Sequence, residues 1–303
     1  MGWKIFFSFL FILIVIGLLG IYWFVPFREV EFQPRDVNTN FSISGGDNPE
    51  MQFYPNMRYP ESMISYKIYN CPLKKKNDME QAFYTLSNTT MLKFYPVNFN
   101  EEIAVTCESK ERIEGGLFIA GEGGPTNITQ TSLFNIITHG KILLIKESDC
   151  PRPNIAIHEL LHALGFDHSD NPNNVLHNIT NCDQTIGQDT INVIKKIYST
   201  SSYSDLAIIN ASASIDGRYL NIEANLRNNG LAKSSQSEML IYADDNLAKN
   251  LTLDEMQFGY GLKITLKNIW VSNAKIQTVK IQINSHSEEL NKENNQITLR
   301  IKD

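Results

Sequence analysis

Hydrophobic positions change their spacing along this chain, and each change marks a different kind of element. Residues 5–25 form an uncharged apolar run, long enough as a helix to cross a bilayer core of about 30 Å. The segment 27–50 that follows is polar and mixed, turning Gly- and Asn-rich, as a stalk does. Residues 64–69 (I-S-Y-K-I-Y) alternate with the period of a strand. Asn77 stands where it caps a helix in which Met79, Ala82, Phe83 and Leu86 share one face. Strand-like runs follow at 92–97 and 103–107, then at 117–120 between glycine turns, and at 141–146 (K-I-L-L-I-K). Asn154, after P-R-P, is placed to cap the next helix, and 183–198 carries Ile191, Ile194 and Ile197 along a helical side.

Past Ser199 the period changes. S-T-S-S-Y-S-D reads as a linker, and beyond it Leu220, Ile222, Ala224 and Leu226 alternate. So do Val279, Ile281 and Ile283, and then Ile297, Leu299 and Ile301, while Asn228-Asn229-Gly230 makes a turn. The expected organisation is an α+β domain over 51–200, with a mixed twisted sheet and helices. An all-β immunoglobulin-like sandwich over 205–303 follows it.

Composition narrows the class. The net charge is −6 and the one compact basic stretch, Lys74 to Lys76, reads as a solvated loop, so no nucleic-acid partner is expected. The apolar run is longer than the 7–15 residues of a signal-peptide core and leaves through W-F-V-P-F-R without an A-x-A-like site. An uncleaved transmembrane signal anchor over 1–26 is therefore expected, with a cleaved signal and a soluble secreted product as the alternative. Sequons at Asn40, Asn88, Asn127, Asn178, Asn210 and Asn250 point outward from the membrane. Cys71, Cys107, Cys150 and Cys182 suit two disulfides in one of three pairings. The local choice is Cys71–Cys107 with Cys150–Cys182, and buried free thiols are the plainer alternative.

The chemistry is concentrated in His158 to His168, H-E-L-L-H-A-L-G-F-D-H. H-E-x-x-H-x-x-G-x-x-H arises by chance in roughly one chain in 10⁵ of this length. His158 and His162, four residues apart, share a helix face and offer two imidazoles to one Zn²⁺. Glu159 is placed to take a proton from a water at the metal. Gly165 permits a positive φ at the helix exit, and the turn brings His168 back as the third ligand. Three protein ligands with one open position describe a catalytic rather than a structural zinc. The plainer alternative is an amphipathic helix with solvent-facing histidines.

This extended motif resembles the metzincin metallopeptidases, and Ser169 after the third histidine resembles their matrixin branch. The resemblance implies protein or peptide substrates, one catalytic Zn²⁺ and an antiparallel edge strand at 117–120 that pairs with extended peptide. It also implies a methionine beneath the metal about eight residues past His168, where this chain has Leu176, a swap of similar volume. Matrixins carry an inhibitory cysteine in a propeptide and upstream histidines for a second zinc. Here no cysteine precedes Cys71 and only His139 lies upstream, so neither is expected. The order D-L-A-I, N-L-R-N-N-G, Trp270 and E-L-N-K-E-N-N-Q in the sandwich resembles the CARDB adhesion module, which implies a cell-surface or matrix ligand. His177 is a candidate for stabilising an oxyanion, and His286 reads as a surface residue. The sum is a single-pass, membrane-anchored extracellular zinc endopeptidase. A surface-binding protein with an inactive metzincin-like domain is the rival from another class.

Overall fold

Strands that are apolar on both faces need cover on both sides, and Ile103, Ala104 and Val105 are all buried. The computed structural model describes residues 51–109, 120–148 and 150–301, the backbone of three short strands at 30–35, 112–114 and 117–119, and scattered positions within 3–15. In the first domain β2 (Met57–Arg58), β3 (Met63–Ile68), β4 (Lys93–Pro96), β5 (Ile103–Cys107) and β9 (Asn135–Leu144) pair in parallel, in the order β2-β9-β5-β3-β4. β8 (Gly121–Gln130) pairs antiparallel with β9. The disulfides Cys71–Cys107 and Cys150–Cys182, the local pairing, are both formed.

Helix α1 (Leu73–Thr89) buries Met79, Ala82, Phe83 and Leu86 as the spacing predicts. Phe83 stacks on Tyr66 with ring centroids 4.0 Å apart, which fixes the helix on the sheet. The helix begins four residues before Asn77, behind Pro72, whose fixed φ suits a helix start. Lys74 to Lys76 are thus not a solvated loop. Lys75 is buried, and its Nζ donates to Glu108 O at 2.6 Å and Ile145 O at 2.7 Å. Two carbonyls satisfy the ammonium that burial strips of water.

The edge strand also differs from expectation. Leu117–Ile119 (β7) pairs with Arg112–Glu114 (β6) in a separate ribbon, and the antiparallel edge of the main sheet is the next segment, β8. Its glycines and Pro125 hide it from propensity reasoning, yet an edge strand tolerates proline. The third helix, α3 (Gln188–Tyr198), starts later than expected and buries Thr190, Ile194 and Ile197.

Buried Arg58 ties α3 and the linker to the sheet. Its guanidinium lies 4.3 Å over the Tyr198 ring and donates to Tyr59 O, Pro60 O, Ile197 O and Thr200 O at 2.7–2.9 Å. The second domain stacks two four-stranded sheets over an aliphatic core. One is ordered β1-β14-β11-β10, from β1 (Val30–Arg35), β14 (Gly261–Trp270), β11 (Tyr219–Asn228) and β10 (Leu206–Asp216). The other is β13-β12-β15-β16, from β13 (Asn246–Leu253), β12 (Ser237–Ala243), β15 (Thr278–Ser285) and β16 (Gln296–Arg300). Alternating burial along β11 and β15 is the pattern read from their sequence. β1 is a departure: it lies within the 27–50 segment expected to be a stalk, but pairs antiparallel with β14 over six residues. Its Val-Glu-Phe-Gln alternation is too short a signal to stand out. Most of the apolar run 5–25 lies outside the described residues, and no described helix is long and apolar enough to cross a membrane.

Candidate metal centre

Helix α2 (Asn154–Ala163) is apolar on nearly every side and buried between sheet and α1, so its few polar groups are held in a dry setting. Asn154 opens the helix but does not cap it. Its Nδ2 donates to Asn181 O at 2.7 Å and Gln184 O at 3.2 Å, pinning the loop that Cys150–Cys182 closes. The helix ends in a Schellman turn: Phe166 N donates to Leu161 O and Gly165 N to His162 O. Gly165 has φ +93°, and a Cβ there would lie 2.5 Å from Met57 Sδ, so both conformation and space demand glycine.

This turn builds the ligand set. It places Phe166 O 2.7 Å from His162 Nδ1, while Val175 O lies 2.7 Å from His158 Nδ1. Each Nδ1–H donates to a carbonyl, leaving each Nε2 as a bare lone pair. Those two Nε2 atoms face each other at 2.8 Å, and with His168 the three ligating atoms lie within 4.8 Å of one another. Converging lone pairs repel unless a cation lies among them, so the donor set fits a Zn²⁺. His158 and His162 are 7% and 6% exposed, which rules out the solvent-facing alternative, while His168 is on the rim. Burial first, and then neighbouring imidazoles, hold the His158 and His162 pKa values down at about 4 and about 3. Both rings are therefore neutral, as metal ligation requires.

The chain after His168 closes the site from below. Ser169 N donates to Leu176 O, and Leu176 N to Asn174 Oδ1, both at 3.0 Å. Leu176 is fully buried in the core cluster, filling the place where the resemblance implies methionine. The turn itself is intact, with Val175 N bound to Thr185 O.

Glu159 is 5% exposed, and burial, then the charge of Glu122, pushes its carboxyl up to about 8. A cation among the histidines reverses that preference, since it stabilises a nearby carboxylate. β8 crosses directly over this residue. A Cβ on Gly121 would come within 2.8 Å of Glu159 Oε1, and one on Gly123 within 2.2 Å of Glu159 O. The glycines read as loop punctuation let the edge strand pass in contact with Glu159.

Sequence reasoning missed a further group. Phe53 N donates to Gly165 O and Asp167 N to Met51 O, so residues 51–53 clamp the turn between the second and third ligands. The Phe53 ring stacks on His162 at 5.8 Å. A ring pair of this kind contributes about 0.5–1.5 kcal/mol, so Phe53→Ala should weaken zinc binding roughly 2- to 12-fold in chelator competition. Phe53→Tyr should restore it; a lower melting temperature with unchanged zinc affinity would reduce Phe53 to packing. Of the remaining histidines, His139 is held by Thr126 Oγ1 at 2.6 Å. The Nδ1 of His177, the oxyanion candidate, lies 3.3 Å from both backbone groups of Ile179, and His286 is exposed.

Compared with known proteins, residues 58–199 match the Matrixin family model and residues 203–299 the CARDB family model. No curated protein matches the chain. Among solved structures, a CARDB domain from Pyrococcus furiosus, described as a complex with di-metal ions, is 15% identical with a TM-score of 0.28, over 33% of this chain and 89% of that one. A domain of a putative cell surface protein from Methanosarcina acetivorans is 14% identical, TM-score 0.28, over 32% and 88%. High choriolytic enzyme 1, a hatching-enzyme zinc-protease of the medaka Oryzias latipes, is 16% identical, TM-score 0.31, over 47% and 94%.

Proposed function

Because residues 58–199 form a Matrixin domain and residues 203–299 a CARDB domain, we propose that the chain is a zinc endopeptidase held on the outer face of the cell membrane by residues 5–25. The observation that carries the reading is the union of a buried carboxyl, Glu159, with three imidazoles whose free nitrogens converge. Bound by His158, His162 and His168, Zn²⁺ supplies Lewis acidity to a peptide carbonyl and to a water beside it. Glu159 accepts the proton of the attacking water and returns it to the departing amide nitrogen. Its dry setting strengthens each charge interaction made during the reaction. β8 offers its backbone edge to an extended peptide, which fixes the scissile bond over Glu159.

Two disulfides suit an oxidising compartment, and Asn88, Asn127, Asn178, Asn210 and Asn250 are all exposed, as acceptors of glycans must be; Asn40 lies outside the described residues. The sandwich is assigned a cell-surface or matrix ligand. Leu176 is the observation favouring a binding protein without activity. Retention of Glu159 favours the enzyme, because a binding-only site has no use for the base. Purified protein should carry one zinc in the histidine site, digest a diverse peptide library, and lose and regain that activity with chelator and Zn²⁺. Fully loaded protein that cuts nothing would leave the binder. N-terminal sequencing from membrane and medium separates the anchored form from a secreted one.

A further inference from the structure

At one corner of the sandwich, beside the start of β10, buried oxygen atoms gather without an evident positive partner. Asp205 and Glu289 are 1% and 8% exposed, and Asn295, in the short 3-10 turn Glu293–Asn295 before β16, is 6% exposed. Asn294 Nδ2 donates to Asp205 Oδ1 at 3.0 Å, Asn295 Nδ2 donates to Glu289 Oε2, and Leu206 N donates to Glu289 Oε1 at 3.1 Å. These bonds fix both amides, since flipping either would set oxygen against carboxylate oxygen. The amide oxygens Asn294 Oδ1 and Asn295 Oδ1 are then buried with no hydrogen-bond partner. Each such orphan costs roughly 1–3 kcal/mol.

The carboxylates accept hydrogen bonds, Asp205 also from the Asn291 backbone and Glu289 also from Ser285, but have no cationic partner among the described residues. Burial raises the pKa of each, and the charge of Asp205 raises that of Glu289 further. Among the described residues no Lys or Arg forms an ion pair with either of them. A cavity of about 270 Å³ adjoins the corner, lined by Ser285, Glu289, Lys292, Asn295 and Gln296 among others, with Lys292 exposed at its rim. Glu289 and the orphan oxygen of Asn295 belong to residues that line this space, while Asp205, whose charge acts on Glu289, and Asn294, bonded to Asp205, adjoin them, so the corner asks for one positive charge that accepts oxygen ligands.

We propose that this corner binds one hard divalent cation of the calcium class, through the Asp205 and Glu289 carboxylates and the side-chain oxygens of Asn294 and Asn295. Charged and neutral oxygens in an irregular arrangement, completed by water, suit Ca²⁺ with its 6–8 ligands better than Mg²⁺. Zinc prefers the nitrogen-rich histidine site, so the two sites select different metals. A cation here links the residue that opens β10 to the turn that opens β16, joining the two sheets.

The test uses the full zinc-loaded chain, with equilibrium dialysis against Ca²⁺ and thermal unfolding in parallel. One Ca²⁺ per chain should bind with a dissociation constant of roughly 10⁻⁴–10⁻³ M, as in extracellular modules, and raise the melting temperature. Glu289→Gln should lose the Ca²⁺ while keeping its zinc. Asn295→Asp, which turns an orphan oxygen into a charged ligand, should bind Ca²⁺ at least about tenfold more tightly. Wild-type protein that takes up no Ca²⁺ at about 5 mM, with Glu289→Gln as stable as wild type or more so, would overturn the proposal. A proton on Glu289 would then be neutralising the corner.

Discussion

Glu159→Gln should hold its zinc at the wild-type level and cleave peptides at least about 10²-fold more slowly, the usual scale for losing a general base. The substitution is nearly isosteric, which matters here because the carboxyl is packed so close to Gly121 that even a methyl group on that glycine would overlap it. No space is created or filled, and the two buried histidines keep their partners. His158 remains fixed by Val175 O and His162 by Phe166 O. Any loss of rate therefore reports the missing base and not a displaced metal. Zinc content by elemental analysis and kcat/KM on the best library peptide measure the two halves separately. A variant that still cleaves at the wild-type rate would remove Glu159 from the chemistry, and one that loses its zinc would make it a structural residue.

The part of this site that sequence exposed is the part local geometry controls. Histidines four residues apart share a helix face whatever surrounds them, and Gly165 at the helix exit dictates the positive φ that the structure shows. The pattern of apolar positions in 79–86 and 220–226 likewise identified buried faces, because periodicity reflects burial directly. What stayed hidden depends on partners distant in sequence. The carbonyls of Val175 and Phe166 orient the ligands, yet a backbone carbonyl leaves no mark on residue type. Lys75 looks solvated until Glu108 and Ile145 are found beside it. β8 has the composition of a loop, because glycine is what close passage over Glu159 requires, so the segment most intimate with that carboxyl had a weak strand signal. Phe53 lies more than a hundred residues from the ring it stacks on.

The two disulfides close loops of similar size, with sequence separations of 36 and 32 residues, so each should contribute roughly 3–4 kcal/mol by restricting the unfolded chain. Their positions differ in consequence. Cys71–Cys107 joins the residue before Pro72, at the entry to α1, to the last residue of β5, and brackets none of the three histidines. Cys150–Cys182 brackets α2 and the whole turn that carries His168, Val175 and Leu176, and Asn154 bonds across it to Asn181 and Gln184. Replacing either pair by serines should lower the melting temperature of the Matrixin domain by about 10 °C, on the usual 2–4 °C per kcal/mol for domains of this size. Only the Cys150→Ser/Cys182→Ser protein should also bind zinc more weakly, by roughly 10- to 100-fold, because only there does the carbonyl that orients His158 lose its tether. Chelator competition below the melting transition of both variants measures this directly. Equal zinc affinity in the two would show that the turn keeps its shape without the bridge, held by Asn174, Ser169 and Thr185 alone.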